Sequence, residues 1–396
     1  MAFPLMRAAP PARLLLLTAI LLISYLCVAL SLPVIPVFVT GSLGLSNALA
    51  GLAVGIAFLS TILTRAYAGG LSDERGPKVA VARGLFFYVA GALASMAAGL
   101  LPEAPWSAFT ILVGGRLLLG LGESLVAVGV IAWGVGIVGP AAAGKVLSLV
   151  GAAIYGALAI GGPLGLVLFA RLGFAGTMAV SAVLPAVGLL AIWRLPSVAA
   201  HPGRERPSFT SVISRIWLHG SVVCLQGIGF AAIGAFFALH FRDQHWSHAG
   251  LGLTAFGVGF VLMRLLFGHL PDRIGDLPVA IGSLAMETVG QLLIWGAGEP
   301  AFALAGAFLT GLGGSMIFPA LGREVVHRVP PHLRGTALGG FSAFQDLAYG
   351  LTGPFAGLLA DRAGYDSVFL TGGMAAAAGF LIAIFLRRRG AAAAAA

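Results

Sequence analysis

The chain has 396 residues, of which 59% are hydrophobic and only 9% charged, and its mean hydropathy is +1.00. A soluble domain carries roughly 25% charged residues, so this chain cannot cover a water-facing surface and its bulk must face lipid. The net charge is +9, but the basic residues sit between apolar runs, where they serve as insertion signals rather than as a nucleic-acid face.

Twelve apolar runs follow one another, at 14–39, 47–68, 79–101, 107–138, 146–170, 174–193, 217–241, 249–267, 277–297, 301–326, 336–359 and 367–386. At 1.5 Å per residue, about 20 residues cross the hydrocarbon core of a bilayer. The first run is too long for a signal-peptide core and many runs follow it, so it is retained as a helix although Arg7 and Arg13 precede it. Pro33 and Pro36 break its far end. The stretch 194–216 is polar, carries Arg194, Arg204, Arg206 and Arg215, and reads as a linker. The predicted organisation is a six-helix half over 1–193, the linker over 194–216, a second six-helix half over 217–390, and a low-complexity Ala tail over 391–396.

Charge gives the orientation. Of the 23 Lys and Arg, Arg171, Arg242 and Arg362 fall on one side, Arg116 lies within a span, and all others fall on the opposite side. The positive-inside rule then makes both termini cytoplasmic. Glycine, at 58 residues, suits close helix approach in lipid. Cys27 and Cys224 both lie in apolar runs, which excludes a disulfide framework and gives no metal spacing.

The halves repeat each other. RAYAGGLSDERGPK at 65–78 returns as RLLFGHLPDRIG at 264–275, keeping Arg, Gly, Leu, Asp and Gly in register. Gly120-Leu121-Gly122-Glu123-Ser124 returns as Gly311-Leu312-Gly313-Gly314-Ser315. Gly162-Pro163, Arg171 and Gly173 return as Gly353-Pro354, Arg362 and Gly364. Parallel six-helix repeats are one transporter plan, with the cargo site near the midplane between them.

On these residues the chain resembles the major facilitator superfamily. The turn is similar to the family's loop motif Gly-x-Leu-Ala-Asp-Arg-x-Gly-Arg-Lys, standing here as Gly69, Leu71, Ser72, Asp73, Gly76 and Lys78; Glu74 and Pro77 replace two basic positions, with Arg75 between them. Arg116-x-x-x-Gly120-x-Gly122 resembles the motif of the drug:proton antiporters, with Leu119 in place of its glutamine and Glu123 at a usually small position. Gly162-Pro163-x-Gly165 is a partial antiporter Gly-Pro motif, and the segment LTGPFAGLLAD is similar to arabinose-efflux-type bacterial exporters. The resemblance implies an all-α integral membrane fold of twelve transmembrane helices in two pseudosymmetric halves. It also implies a conformational latch formed by Arg65, Gly69, Asp73, Arg75, Gly76 and Lys78 and by Arg264, Gly268, Asp272 and Gly275. Gly162, Pro163, Gly353 and Pro354 are the expected helix hinges.

A charge at the bilayer midplane is costly and faces a cavity or a partner. Arg116, Glu123 and Asp346 are the candidates for proton coupling and cavity work. Arg116 and Glu123 share one face of a helix, about 10.5 Å apart along the axis, so each is expected to meet a group on another helix. Burial favours the neutral form of a carboxyl, and an approaching cation reverses this, as a proton-coupled antiporter requires. Tyr25, Gln226, Tyr155, Gln345 and Tyr349 offer hydrogen bonds to cargo. Glu287 falls on a span that the resemblance places at the periphery, and a helix-packing hydrogen bond is expected for it. His219 is expected to snorkel to the interface, and Trp133 and Trp295 to sit in aromatic belts.

No Ser/His/Asp set, phosphate-cradling loop or metal spacing stands in the sequence, so catalysis is not expected. The reading is a monomeric secondary transporter of the bacterial cytoplasmic membrane. It exports a small organic solute by proton antiport, with no cofactor beyond the proton gradient and with solute, protons and lipid as its partners. The alternatives are proton-symport uptake of a sugar or organic acid, and a membrane sensor, which the linker at 194–216 provides with no signalling domain.

Overall fold

The structure, a computed structural model, describes residues 10–139, 142–199, 209–330 and 333–395. Arg7 and the centre of the linker lie outside the described residues. In lipid every backbone N–H and C=O must be satisfied within its own segment, which favours helices. Twelve of them follow: α1 (Pro10–Val37), α2 (Asn47–Arg75), α3 (Pro77–Ala98), α4 (Pro105–Val138), α5 (Ala143–Ile192), α6 (Phe209–Asp243), α7 (Leu251–Phe267), α8 (Leu270–Ile274), α9 (Asp276–Trp295), α10 (Pro300–His327), α11 (Arg334–Ala363) and α12 (Asp366–Ala395). Among the described residues, nine helices are long and apolar enough to cross a membrane, and α7 is a shorter apolar helix.

The runs 146–170 and 174–193 stand as two helical stretches of α5, separated as expected by the non-helical Gly173 (φ 66°, ψ −173°). The helix boundaries depart from the sequence expectation in three places. Pro33 and Pro36 do not break α1; it runs to Val37 and continues as a π-helical turn over Phe38–Ser42. The polar segment 65–78 is almost wholly helical, because α2 continues through Arg75. Its second copy holds the short helix α8 instead. The actual turn shrinks to Gly76 in the first half, and in the second to Gly275 with Gly268 and His269 before α8. Gly76 (φ 89°, ψ 152°) starts α3, and Gly275 (φ 91°, ψ 161°) starts α9, a region that a side chain forbids.

By contact, the chain divides into two units: Met1–Leu45 with Ile56–Arg204, and Ser46–Gly55 with Glu205–Ala396. Within the first, α1 packs on α5 and α3 packs on α4 and α5; within the second, α6 packs on α11 and α9 packs on α10 and α12. The duplicated sequence thus produces duplicated packing. Its close points are duplicated too. A Cβ at Gly91 of α3 would lie 2.6 Å from the Gly115 carbonyl oxygen of α4, and one at Gly290 of α9 would lie 2.7 Å from that of Gly306 on α10. Small residues let these backbones touch where no hydrophobic drive separates helix from lipid.

Ser46–Gly55, the residue before α2 and its first turns, pack against α11 in the second unit. The seam is glycine on glycine, Gly51 against Gly353 and Gly55 against Gly350. It ends in a clamp. Asp361 at the end of α11 accepts hydrogen bonds from the backbone N–H groups of Asn47 (3.1 Å) and Ala48 (3.2 Å) and from Asn47 Nδ2 (2.9 Å), while the Tyr365 hydroxyl donates to Asn47 Oδ1 (2.9 Å). A carboxylate at a helix N-terminus satisfies orphan donors and meets the positive end of the helix dipole.

Candidate functional site

In the first unit α4 is fixed on two sides by its glycines. Gly115 and Gly122 meet α3 at Gly91 and Gly84, and Gly120 meets α2 at Ala57. Arg116 and Glu123 each follow a glycine of the α3 contact and so turn to another side, where both meet α1. Arg116 Nη1 donates to Ser31 Oγ at 3.1 Å. The Tyr25 hydroxyl donates to Glu123 Oε1 at 3.1 Å. Arg116 is 1% exposed, Tyr25 7%, and Glu123 half-buried. Tyr88 of α3 and Tyr155 of α5 stand within electrostatic reach of Tyr25. The first half thus holds a guanidinium, a carboxyl and three phenols among α1, α3, α4 and α5. Such a set can bind a proton at the carboxyl and an anionic or hydroxyl group at the arginine and phenols. Tyr88 and Ser31 were not singled out in the sequence. A serine in an apolar run gives no signal until its partner helix is known.

In the second unit the predicted residues spread over two elements. Gln226 is buried on α6, Tyr349 is buried on α11, and Gln345 and Asp346 are half-buried one turn from Tyr349. The Tyr349 ring lies 4.9 Å from that of Phe230, which lies 5.1 Å from that of Phe256. An apolar cleft of about 260 Å³ between α6, α11 and α12 is lined by Cys224, Leu347, Leu351 and Phe355 among others and contains none of the predicted site residues.

The two copies of the loop motif engage different partners. Arg65, Gly69, Asp73 and Arg75 lie in the last turns of α2. Lys78 Nζ donates to the Leu195 carbonyl at 2.6 Å, fastening the chain where it leaves α5. In the second copy Arg323 of α10 pairs with Asp272 and, through Nε at 2.8 Å, with Asp276. Arg264 donates to the Ser315 carbonyl at 2.7 Å and lies 5.1 Å over the Phe260 ring; Gly268 closes α7. Arg323 was missed in the sequence because its counterpart in the first half is uncharged. Pro163 and Pro354 lie inside continuous helices, and Gly162 and Gly353 beside them are buried.

Three interior expectations are corrected. His219 is 1% exposed instead of snorkelling. Trp133 is fully buried, its Nε1 donating to the Pro196 carbonyl at 3.1 Å, instead of joining a belt. Glu287, expected on a peripheral span, is fully buried against α6, with the Gln226 side chain within hydrogen-bonding reach. The helix face, which sequence alone does not fix, decides all three.

A family model described as Major Facilitator Superfamily matches residues 17–224 and again 220–395. An uncharacterized MFS-type transporter of Salmonella typhimurium is 42% identical over 373 residues, covering 94% of this chain and 96% of that protein. One of Burkholderia pseudomallei is 42% identical over 367 residues, covering 93% and 90%. Among solved structures, a D-xylose-proton symporter aligns with a TM-score of 0.77 at 16% identity, over 93% of this chain and 97% of that one. The nucleoside transporter NupG aligns with a TM-score of 0.76 at 14% identity, over 94% and 99%. At such identity these two carry the fold alone.

Proposed function

We infer the activity from one premise: this chain belongs to the Major Facilitator Superfamily and is a multi-pass membrane transporter of small molecules. We propose that it exports a small organic solute, a drug, sugar or metabolite, by proton antiport through alternating access. It works as a monomer in the bacterial cytoplasmic membrane, with both termini cytoplasmic and the proton gradient as energy source. Asp73 and Asp272, with the basic residues around them, act as the conformational latch.

The observation that carries this reading is the Tyr25–Glu123 hydrogen bond inside the first half, with Arg116 buried two helical turns away on the same face. An ionisable group at membrane depth is retained at a cost, and transport chemistry is the default account of it. Glu123 or Asp346 carries the proton; Arg116 tunes it or holds an anionic group of the cargo. Tyr25, Tyr155, Gln226, Gln345 and Tyr349 supply hydrogen bonds to the cargo. The test is purified protein in liposomes under an imposed pH gradient, screened against a panel of drugs, sugars and metabolites. Solute should accumulate in the direction of export, a protonophore should abolish this, and Glu123→Gln with Asp346→Asn should remove it. Gradient-driven flux that survives both substitutions, or the same drive running inward, would sink the proposal.

A further inference from the structure

Among the described residues Glu287 is the one buried acid, with no exposed surface. It projects from the middle of α9 toward α6, and glycine makes the room: a Cβ at Gly229 would sit 2.6 Å from Glu287 Oε1. The α9 backbone cannot retreat. A Cβ at Gly313 of α10 would lie 2.7 Å from the Glu287 backbone nitrogen. One turn further along α9, Gln291 Nε2 donates to the Gly229 carbonyl at 3.3 Å and to Thr310 Oγ1 at 3.2 Å, tying α9 to α6 and α10 around the acid. On its other side Gln291 faces Gly372 of α12.

Gln226 lies beside the carboxyl on α6. Yet neither oxygen of Glu287, nor Gln226 Oε1, has a hydrogen-bond partner of good geometry among the described residues. The charged groups of the surrounding helices stand at their ends. On α6 these are Arg215 and His219 at one end and His240, Arg242 and Asp243 at the other; on α10 Arg323, Glu324 and His327; on α12 Asp366, Arg387, Arg388 and Arg389. The nearest along α6 is His219, two turns before Gln226. Cys224 lies on the cleft facing α11, and Tyr349 turns to Phe230. No cation lies within ion-pair distance of Glu287 among the described residues, and no group of three or more ligating side chains could hold a metal there. A buried carboxylate with no counter-charge is strongly disfavoured, and one proton removes the charge and supplies a donor.

We propose that Glu287 is a proton-binding site of the second half, its carboxyl protonated in this conformation and hydrogen-bonded through that proton to Gln226. Deprotonation transfers the proton to water and leaves a carboxylate, so it requires α6 and α9 to part at Gly229 and admit solvent. The protonation does not rest on the antiport reading above.

The test is infrared difference spectroscopy of the full-length protein in lipid, through a pH titration. Wild type should show a protonated-carboxyl band at neutral pH that Glu287→Gln removes and that Glu123→Gln and Asp346→Asn leave in place. Gly229→Ala, which presses on Oε1, should shift that band in frequency. A spectrum unchanged by Glu287→Gln, or a band indifferent to Gly229→Ala, overturns the site. Because the band is read without cargo or gradient, a transporter that shows no proton-driven flux would refute antiport and leave this assignment standing.

Discussion

Replacing Asp361 with alanine isolates the clamp on the N-terminal end of α2. The carboxylate receives two backbone N–H groups and one side-chain amide, at 2.9–3.2 Å. Losing an N-terminal cap costs about 0.5–2 kcal/mol and losing a negative charge at a helix N-terminus about 0.3–1 kcal/mol. Asp361 is exposed, so salt and water reduce the charge term, and the Tyr365–Asn47 hydrogen bond survives the change. A net cost of about 1 kcal/mol remains, equivalent to about a fivefold rise in local opening. Amide hydrogen exchange, followed by mass spectrometry on peptides covering 46–55, reads this directly. The expected result is about fivefold faster exchange there in Asp361→Ala, a smaller rise in Asp361→Asn, which keeps one acceptor, and no change in α9. Equal exchange at 46–55 in wild type and Asp361→Ala would refute the reasoning, because the cap would then contribute nothing that water does not replace.

Three further outcomes are expected. Gly91→Ala should lower the thermal midpoint in detergent, since the new Cβ meets the Gly115 carbonyl and overpacking costs about 1–3 kcal/mol. Gly282→Ala, with nothing within 4 Å of the new Cβ, should leave the midpoint unchanged or raise it, helix glycines being about 0.5–1 kcal/mol worse than alanine. Tyr25→Phe removes the donor to Glu123 at unchanged shape. A hydrogen bond to a charged group is worth about 1.5–3 kcal/mol, so pH-driven flux in liposomes should fall by about tenfold or more while the thermal midpoint stays within a few degrees. Full flux would show the phenol to be a packing residue.

Apolar length and repeated glycine patterns made the helices and their duplicated packing legible, because each is a property of a stretch of chain. Arg116 and Glu123 could be placed on one face for the same reason. The Asp361 clamp was not legible: its partners, Asn47 and Ala48, stand more than 300 residues away, and an aspartate near a helix end is ordinary by itself. Glu287, His219 and Trp133 failed in a different way. Periodicity says which residues share a helix face, but packing decides which face turns inward, and these helices carry too little polar contrast to show it. The end of α2 was misjudged because a polar composition suggests a loop, whereas the backbone breaks only at Gly76.

Gly76 and Gly275 hold nearly the same dihedral angles, yet their neighbours differ: a Cβ would meet the Val198 carbonyl at 3.5 Å in one case and the Pro278 ring at 3.6 Å in the other. The protein therefore contains a matched pair of sites, an internal replicate. The same substitution made at each in turn imposes the same backbone cost. Any difference in outcome between the two is attributable to surroundings alone, with folding background, lipid and expression host held constant within one gene.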